Sequence, residues 1–298
     1  MHDRVGGDVA LRNLVSARSA LLLFVGSAAN ELWHFSRLPR SRRAPPGTLQ
    51  YECNICGRAN AIDLGALERE RRTCLGCGST LRQRALIAAL SRKLFAGKSL
   101  PVDDWTGVGG LEVTGVSDSE LVARALAARV RYRNTFLHRA PVLDICDPQP
   151  ADRSSCDVLV CSDVLEHVAP PVEKAFAGMR KIVRPGGFVV LTVPCSAGER
   201  TVEHYPRLYD YRIVERDGRR VLVNRTSDGK LEEYRDLVFH GGPGETLEMR
   251  AFAMGDLERR LAEAGFGTVE IFAQPDFPHG VYWEHPYSVP IVATAAGR

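Results

Sequence analysis

Four of the eight cysteines stand in two matching knuckles, Cys53-Asn54-Ile55-Cys56-Gly57 and Cys74-Leu75-Gly76-Cys77-Gly78, with 17 residues between them. Two intervening residues let both sulfurs of a knuckle turn onto one ion, and the following glycine permits the tight backbone this needs. Zinc takes four tetrahedral ligands, so Cys53, Cys56, Cys74 and Cys77 are expected to hold one structural Zn2+ with no open position. A site of this kind is closed to catalysis. Cys146, Cys156, Cys161 and Cys195 lack the spacing, and Cys146 and Cys161 fall in predicted strands, which points to core packing. Proton transfer needs another group. His240 lies in the run Phe239-His240-Gly241-Gly242-Pro243-Gly244, which is a loop by composition. A neutral imidazole near pH 7 can accept a hydroxyl proton there. His204, in His204-Tyr205-Pro206, is the second candidate, and His167 reads as structural or ligand-adjacent.

These groups must be carried by regular elements. Residues 10–36 have a loose apolar face that predicts a helix, and residues 37–47 read as a linker with four arginines and three prolines. Arg82 to Phe95 predicts an amphipathic helix, with Leu86, Leu90 and Leu94 on one side. From Gly107 onward, short apolar runs alternate with helical patterns, the signature of a parallel, doubly wound sheet. The predicted strands are 110–114, 130–135, 142–145, 157–161, 187–193, 269–272 and 289–294. Helices are expected at 119–129, 172–183 and 254–264, the second ended by Arg184-Pro185-Gly186-Gly187. Asp217-Gly218 predicts a hairpin turn. The domain reading is a helix and linker at 1–47, a zinc ribbon and its helix at 48–98, and an α/β domain at 99–298. An insertion at about 196–250 interrupts that last domain.

At 298 residues with 25% charged side chains, the chain has the composition of an ordinary globular protein. Its net charge of +3 conceals an asymmetry. Residues 1–98 hold 16 Lys/Arg against 7 Asp/Glu, and the rest hold 23 against 29. A basic front end suits nucleic acid, an anionic membrane surface or an acidic substrate, or is simply a solvated face. The longest apolar run, Ala20 to Val25, is far short of the ~20 residues that span a bilayer. Zinc-type cysteine spacing argues for a reducing compartment, and the expected location is the cytoplasm.

Two segments carry a family resemblance: DVLVCSDVLEHV from Asp157 to Val168, and MRKIVRPGGFVVLTVP from Met179 to Pro194. Together they make Gly110 to Pro194 similar to the class I S-adenosylmethionine-dependent methyltransferases. The resemblance implies a Rossmann-like, mostly parallel seven-stranded α/β sheet with a small zinc ribbon ahead of it. It implies S-adenosylmethionine as cofactor, at the carboxyl ends of the strands. Glu112 would close the first strand, and the turn with Gly115 and Ser117 would approach the methionine part. Asp144 and Ile145 would hold the adenine, while Ser162, Asp163 and Val164 would line the pocket after the fourth strand. Two departures stand out. The glycine-rich turn after the first strand keeps only Gly115, and the acid expected after the second strand is missing, so that Asn134 or Thr135 substitutes.

By the same resemblance the 196–250 insertion covers the methyl group, which is why His240 is preferred as general base over His204. The favoured function is O-methylation of a sugar, glycan or small natural product, with the ribbon as a lid or homodimer contact. An RNA methyltransferase gripping phosphates through the basic ribbon is the alternative. A catalytically inactive relative is the third reading. Peripheral membrane contact stays open, with no spanning segment.

Overall fold

The computed structural model describes residues 47–196, 198–240, 246–283 and 288–297. The helix expected at 10–36 and the linker up to residue 46 lie outside these residues. A first hairpin pairs β1 (Thr48–Glu52) with β2 (Ala59–Asp63), and the first knuckle forms its loop. Helix α1 (Leu81–Leu94) follows the second knuckle. Thr80 caps it: its hydroxyl accepts the Gln83 N–H at 3.3 Å, and the Gln83 side chain accepts the Thr80 N–H at 3.0 Å. Leu81 and Ala85 to Leu90 are all buried, so the helix is apolar around most of its circumference.

The central sheet is built from β3 (Glu112–Val116), β4 (Arg131–Thr135), β5 (Cys156–Ser162) and β6 (Val183–Thr192), all parallel. Helix α2 (Glu120–Ala127) crosses from β3 to β4, and α3 (Glu173–Ile182) crosses from β5 to β6. Val158 to Cys161 and Val189 to Leu191 are at most 1% exposed, as strands covered on both faces must be. The insertion supplies short pieces β7 (Cys195–Ser196) and β8 (Val202–Glu203), then the meander β9 (Asp210–Arg216), β10 (Arg219–Arg225) and β11 (Leu231–Tyr234). Two-residue strands β12 (Phe239–His240) and β13 (Thr246–Leu247) pair with each other, and β14 (Arg250–Ala253) lies between β7 and β8. Helix α4 (Met254–Glu263), β15 (Phe266–Ile271) and β16 (Ile291–Ala295) complete the chain.

The sheet order is β15-β16-β6-β5-β3-β4, with β16 antiparallel to both neighbours. It is the expected α/β, mostly parallel architecture, but with six strands rather than seven among the described residues. The run 142–145 makes only an isolated bridge, Phe136 to Val142. Asp144 Oδ1 accepts the Cys146 N–H at 2.7 Å and curls the chain back before a ladder can grow. Cys146 therefore sits in a turn, whereas Cys161 is a core residue of β5. The Pro185-Gly186 segment, expected to precede the fifth strand, lies inside β6, where the register shifts against β5 between Cys156 and Val158. The Asp217-Gly218 turn joins β9 to β10 as expected, both residues having positive φ. Leu49–Arg298 pack as one compact unit, with the cysteine module included.

Sequential strands depart from β3 in opposite directions, β4 to one side and β5 and β6 to the other. Loops after β3 and β5 therefore diverge and leave a crevice at the carboxyl edge of the sheet. That crevice is where the site lies.

Candidate ligand cleft and cysteine centre

The four knuckle cysteines meet as their spacing predicts. One sulfur from each comes within 4.8 Å of every other, with Cys53 to Cys77 at 3.7 Å and Cys56 to Cys74 at 3.6 Å. A tetrahedral ion with ~2.3 Å metal–sulfur bonds separates its ligands by about 3.8 Å, so the donor set fits zinc. Each knuckle closes alike: Gly57 N–H donates to the Cys53 carbonyl at 2.8 Å, and Gly78 N–H to the Cys74 carbonyl at 2.9 Å. Both glycines have positive φ, which an L side chain would resist. Beneath the centre lies Arg84, fully buried. Its guanidinium donates to the Ser79, His279 and Gly280 carbonyls and to the Ser79 and Thr73 hydroxyls at 2.9–3.2 Å. Every one of those acceptors is neutral. Burial pushes the Arg84 pKa down, and the groups whose negative forms offset this are Tyr51, Cys53, Cys74 and Cys77. A tetrathiolate centre would supply that charge.

Arginines of the same module reach across to the sheet. Asp163, the first residue beyond β5, holds a positive φ of 53°. Arg69 grips it with two bonds of 2.6 and 2.8 Å, and Arg82 Nε lies 3.0 Å from its Oδ2. The Thr192 hydroxyl adds a fourth contact at 2.9 Å. Although burial opposes ionisation, these partners hold the Asp163 carboxyl below the usual carboxylate range. Arg82 also donates to Ser162 Oγ at 2.7 Å and, through Nε and a terminal nitrogen, to both oxygens of Glu70 at 2.7 and 2.9 Å.

The loop after β3 is built on another buried acid. Asp118 is 7% exposed and accepts the Tyr132 hydroxyl at 2.6 Å. Burial pushes its pKa up to about 7, against the lowering effects of Tyr132 and Arg82. Asn134 fixes the same loop, donating to the Asp118 carbonyl at 2.9 Å and accepting its N–H at 3.1 Å.

Between the module and the sheet edge lies a cleft of about 670 Å³. Glu70, Arg72, Cys77, Thr80 and Arg82 form one wall, Ser119 to Leu121 and Arg124 a second, and Asp163, His167 and Thr246 the floor. Its place at the divergence of β3 and β5 is the usual ligand position in an open α/β sheet. Its size is within the ~300–1,000 Å³ of small-molecule sites.

The structure sorts the expected site residues unevenly. Of the nine expected at a cofactor, Asp163 alone lines the cleft. Glu112 opens β3 instead of closing it, at the amino end of the strand, where Arg131 pairs with it at 3.0 Å. The expectation that it stands at the ligand edge is corrected, because the strand begins two residues later than its apolar run. Gly115 lies inside β3, and a Cβ there would collide with the Tyr132 hydroxyl and Asp118. The space above it is thus taken by this chain's own side chains. Ser117, with φ of 56°, donates its N–H to the Thr135 carbonyl at 2.8 Å. Asp144 caps its own turn, and the Ile145 carbonyl lies under Gly178 of α3. Ser162 is tied to Thr192 and Arg82, and Val164 packs against the core.

Among the histidines, His167 lines the cleft, and its Nδ1 lies 2.9 Å from the Leu247 carbonyl. His204 is turned elsewhere, 3.3 Å from Glu248. His240 ends β12, its Cα paired with Thr246 of the cleft floor; its side chain is outside the described residues. Sequence reasoning missed Arg69, Glu70, Arg82, Asp118, Tyr132 and the fully buried Arg250. Arg250 donates to the Leu165 and Val168 carbonyls at 2.8 and 2.6 Å and so pins the turn that carries His167. The one available signal was the charged run from Glu68 to Arg72, which reads as solvated surface.

A family model described as a methyltransferase domain matches residues 96–191, about a third of the chain. No curated protein matches it. Similar solved structures include a 1,6-didemethyltoxoflavin N1-methyltransferase of Burkholderia thailandensis, 14% identical, covering 72% of this chain and 78% of its own, with a TM-score of 0.41. CalS10, an amino pentose methyltransferase of Micromonospora echinaspora, is 16% identical over 73% of this chain and 92% of its own, at 0.40. KedS8, a sugar N-methyltransferase of Streptoalloteichus, is 14% identical over 74% and 89%, at 0.41. Likenesses this distant transfer none of those activities to this chain.

Proposed function

We propose that the chain is an S-adenosylmethionine-dependent methyltransferase that methylates an oxygen of a sugar, glycan or other small natural product. The observation that carries this reading is a coincidence of place. The segment matching a methyltransferase domain supplies β3 to β6, and the cleft opens at their carboxyl ends. S-adenosylmethionine would supply an electrophilic methyl group, so the chain's own task is to align the acceptor and take its proton. Asp163, Ser119, Arg72 and Arg82 line the cleft and are the groups proposed to face the cofactor and acceptor. His240 is the proposed general base, supported by the pairing of its backbone with Thr246. Cys53, Cys56, Cys74 and Cys77 are proposed to hold a structural zinc.

An RNA acceptor draws less support, because Arg69 and Arg84 of the basic module are spent on internal partners. A catalytically inactive relative is favoured by one feature, the Tyr132 hydroxyl lodged over Gly115. The test is transfer of labelled methyl groups from S-adenosylmethionine to a panel of hydroxylated acceptors. Transfer is expected, and His240→Ala should slow it about 10²–10⁴-fold with cofactor affinity nearly unchanged, the range for losing a general base. A His240→Ala rate equal to wild type removes that assignment. Absence of transfer together with absence of cofactor binding favours the inactive reading.

A further inference from the structure

The ion cluster over Asp163 has an internal asymmetry. Arg69, Arg82 and Asp163 have side chains only 18%, 19% and 12% exposed, whereas Glu70, which completes the cluster, is 45% exposed. The buried carboxylates of Glu166 and Asp118 also act on Arg82 electrostatically, whereas Glu70, from the cleft wall, is bonded directly to both arginines. It presents both oxygens to Nε and a terminal nitrogen of Arg82, the bidentate geometry in which a guanidinium recognises a carboxylate. Arg69 adds a third bond to Glu70, at 2.6 Å. Asp163 cannot leave, because it is enclosed at 12% exposure and the Thr192 hydroxyl of the neighbouring strand holds it as well. Glu70 can.

We propose that Arg82 is a carboxylate-recognising residue of the cleft and that Glu70 is its built-in competitor, displaced by the carboxylate of the methionine moiety of the cofactor. This rests on the methyltransferase reading and names a residue of the cysteine module as part of the cofactor site. Exchange of one carboxylate for another leaves the charge of the cluster unchanged, so the incoming group meets no uncompensated arginine. Glu70 swings toward solvent, where an ionised carboxylate is well hydrated. The module is then a wall of the site, and its arginine fork reads the ligand directly.

The test compares S-adenosylhomocysteine with methylthioadenosine, which keeps the adenosine and thioether but lacks the carboxylate. Calorimetric titrations use the full zinc-loaded chain. Glu70→Gln removes the competitor, and S-adenosylhomocysteine should bind about 3- to 10-fold more tightly, the size of a partly exposed ion pair. Methylthioadenosine should be unaffected. Arg82→Met should weaken S-adenosylhomocysteine by about 10- to 100-fold, a charge-assisted bidentate contact, and again spare methylthioadenosine. A gain of affinity in Glu70→Gln cannot come from damaged folding, so this arm stands even where Arg82→Met folds poorly. If wild type binds S-adenosylhomocysteine and Glu70→Gln leaves its affinity unchanged, the competitor role is overturned while the methyltransferase reading survives. Equal tightening of both ligands would mean that Glu70 merely narrows the cleft, which also overturns it. If wild type binds neither ligand, the functional reading fails and this proposal with it.

Discussion

The two walls of the cleft are stabilised by different means. On the sheet side, β5 and β6 bury continuous apolar runs, and Phe176, Met179 and Ile182 of α3 cover them at no more than 1% exposure. On the module side, β1 and β2 are five-residue strands in which only Leu49, Tyr51 and Asn60 are buried. A two-stranded ribbon of that size is marginal in water. Four thiols, the capped start of α1 and the buried Arg84 hold it instead. The sheet wall should therefore survive changes that dismantle the module, whereas Arg69 and Arg82, which reach Asp163 from the module, should not keep their places.

The largest expected effect follows from that contrast. Cys74→Ser, or removal of metal by a chelator, should abolish a stoichiometry of about one zinc per chain and loosen the module, since metal-binding energy is folding energy in such ribbons. Elemental analysis gives the first number. Hydrogen exchange gives the second: amides at 48–80 should lose protection while those of β5 and β6 keep theirs. Equal protection in the metal-free chain would show that the two walls do not differ in this way.

Asp163→Asn probes the join between the walls. It strips the anion from two arginines that are mostly buried, and breaking such a pair from one side costs about 3–5 kcal/mol. The double variant Arg69→Met/Asp163→Asn should recover much of that loss, because it removes the uncompensated charge as well. Denaturant unfolding of wild type, Asp163→Asn, Arg69→Met and the double variant reads the coupling. Additive losses would mean that Arg69 and Asp163 are not energetically linked.

A smaller effect is expected on the sheet side, from Asp118. Burial raises its pKa in the fold to about 7, well above the ordinary aspartate value of 3.8. Between those values the native state binds more protons than the unfolded chain, so this residue makes stability fall as pH rises from about 4 to 7. Depressed carboxyls such as Asp163 act in the opposite sense, which makes the difference between variants the useful quantity. Asp118→Asn should gain on wild type across that window, by up to a few kcal/mol. Parallel pH profiles for the two proteins would contradict the burial assigned to Asp118.

The same contrast governs what could be read in the sequence. Cys53, Cys56, Cys74 and Cys77 were legible because a metal imposes spacing on its ligands, and spacing is what a sequence records. Strands β5 and β6 were legible from unbroken apolar runs, and the Asp217-Gly218 turn from its dipeptide. The loops at the sheet edge were not. Asp144 and Asn134 were recognised as polar groups at strand ends, yet each satisfies backbone of its own or the neighbouring loop. The resemblance puts the turn with Gly115 against the methionine part of a cofactor, but Tyr132, 17 positions away and one strand over, occupies the space above that glycine. Arg69, in the charged run 68–72, and Arg82, at the start of α1, have their partner Asp163 some 80 to 95 residues downstream. Pairing over that separation leaves no local periodicity. Strand 142–145 failed for a local reason, the side-chain turn at Asp144, which propensity alone does not weigh.

Whether module and sheet together form one cofactor cleft is decided by calorimetry. Zinc-loaded protein titrated with S-adenosylhomocysteine should show one site per chain. The same protein stripped of metal should lose most of that affinity, although its sheet remains folded by circular dichroism. Unchanged binding after metal removal, or no binding by the zinc-loaded chain, would contradict a shared cleft.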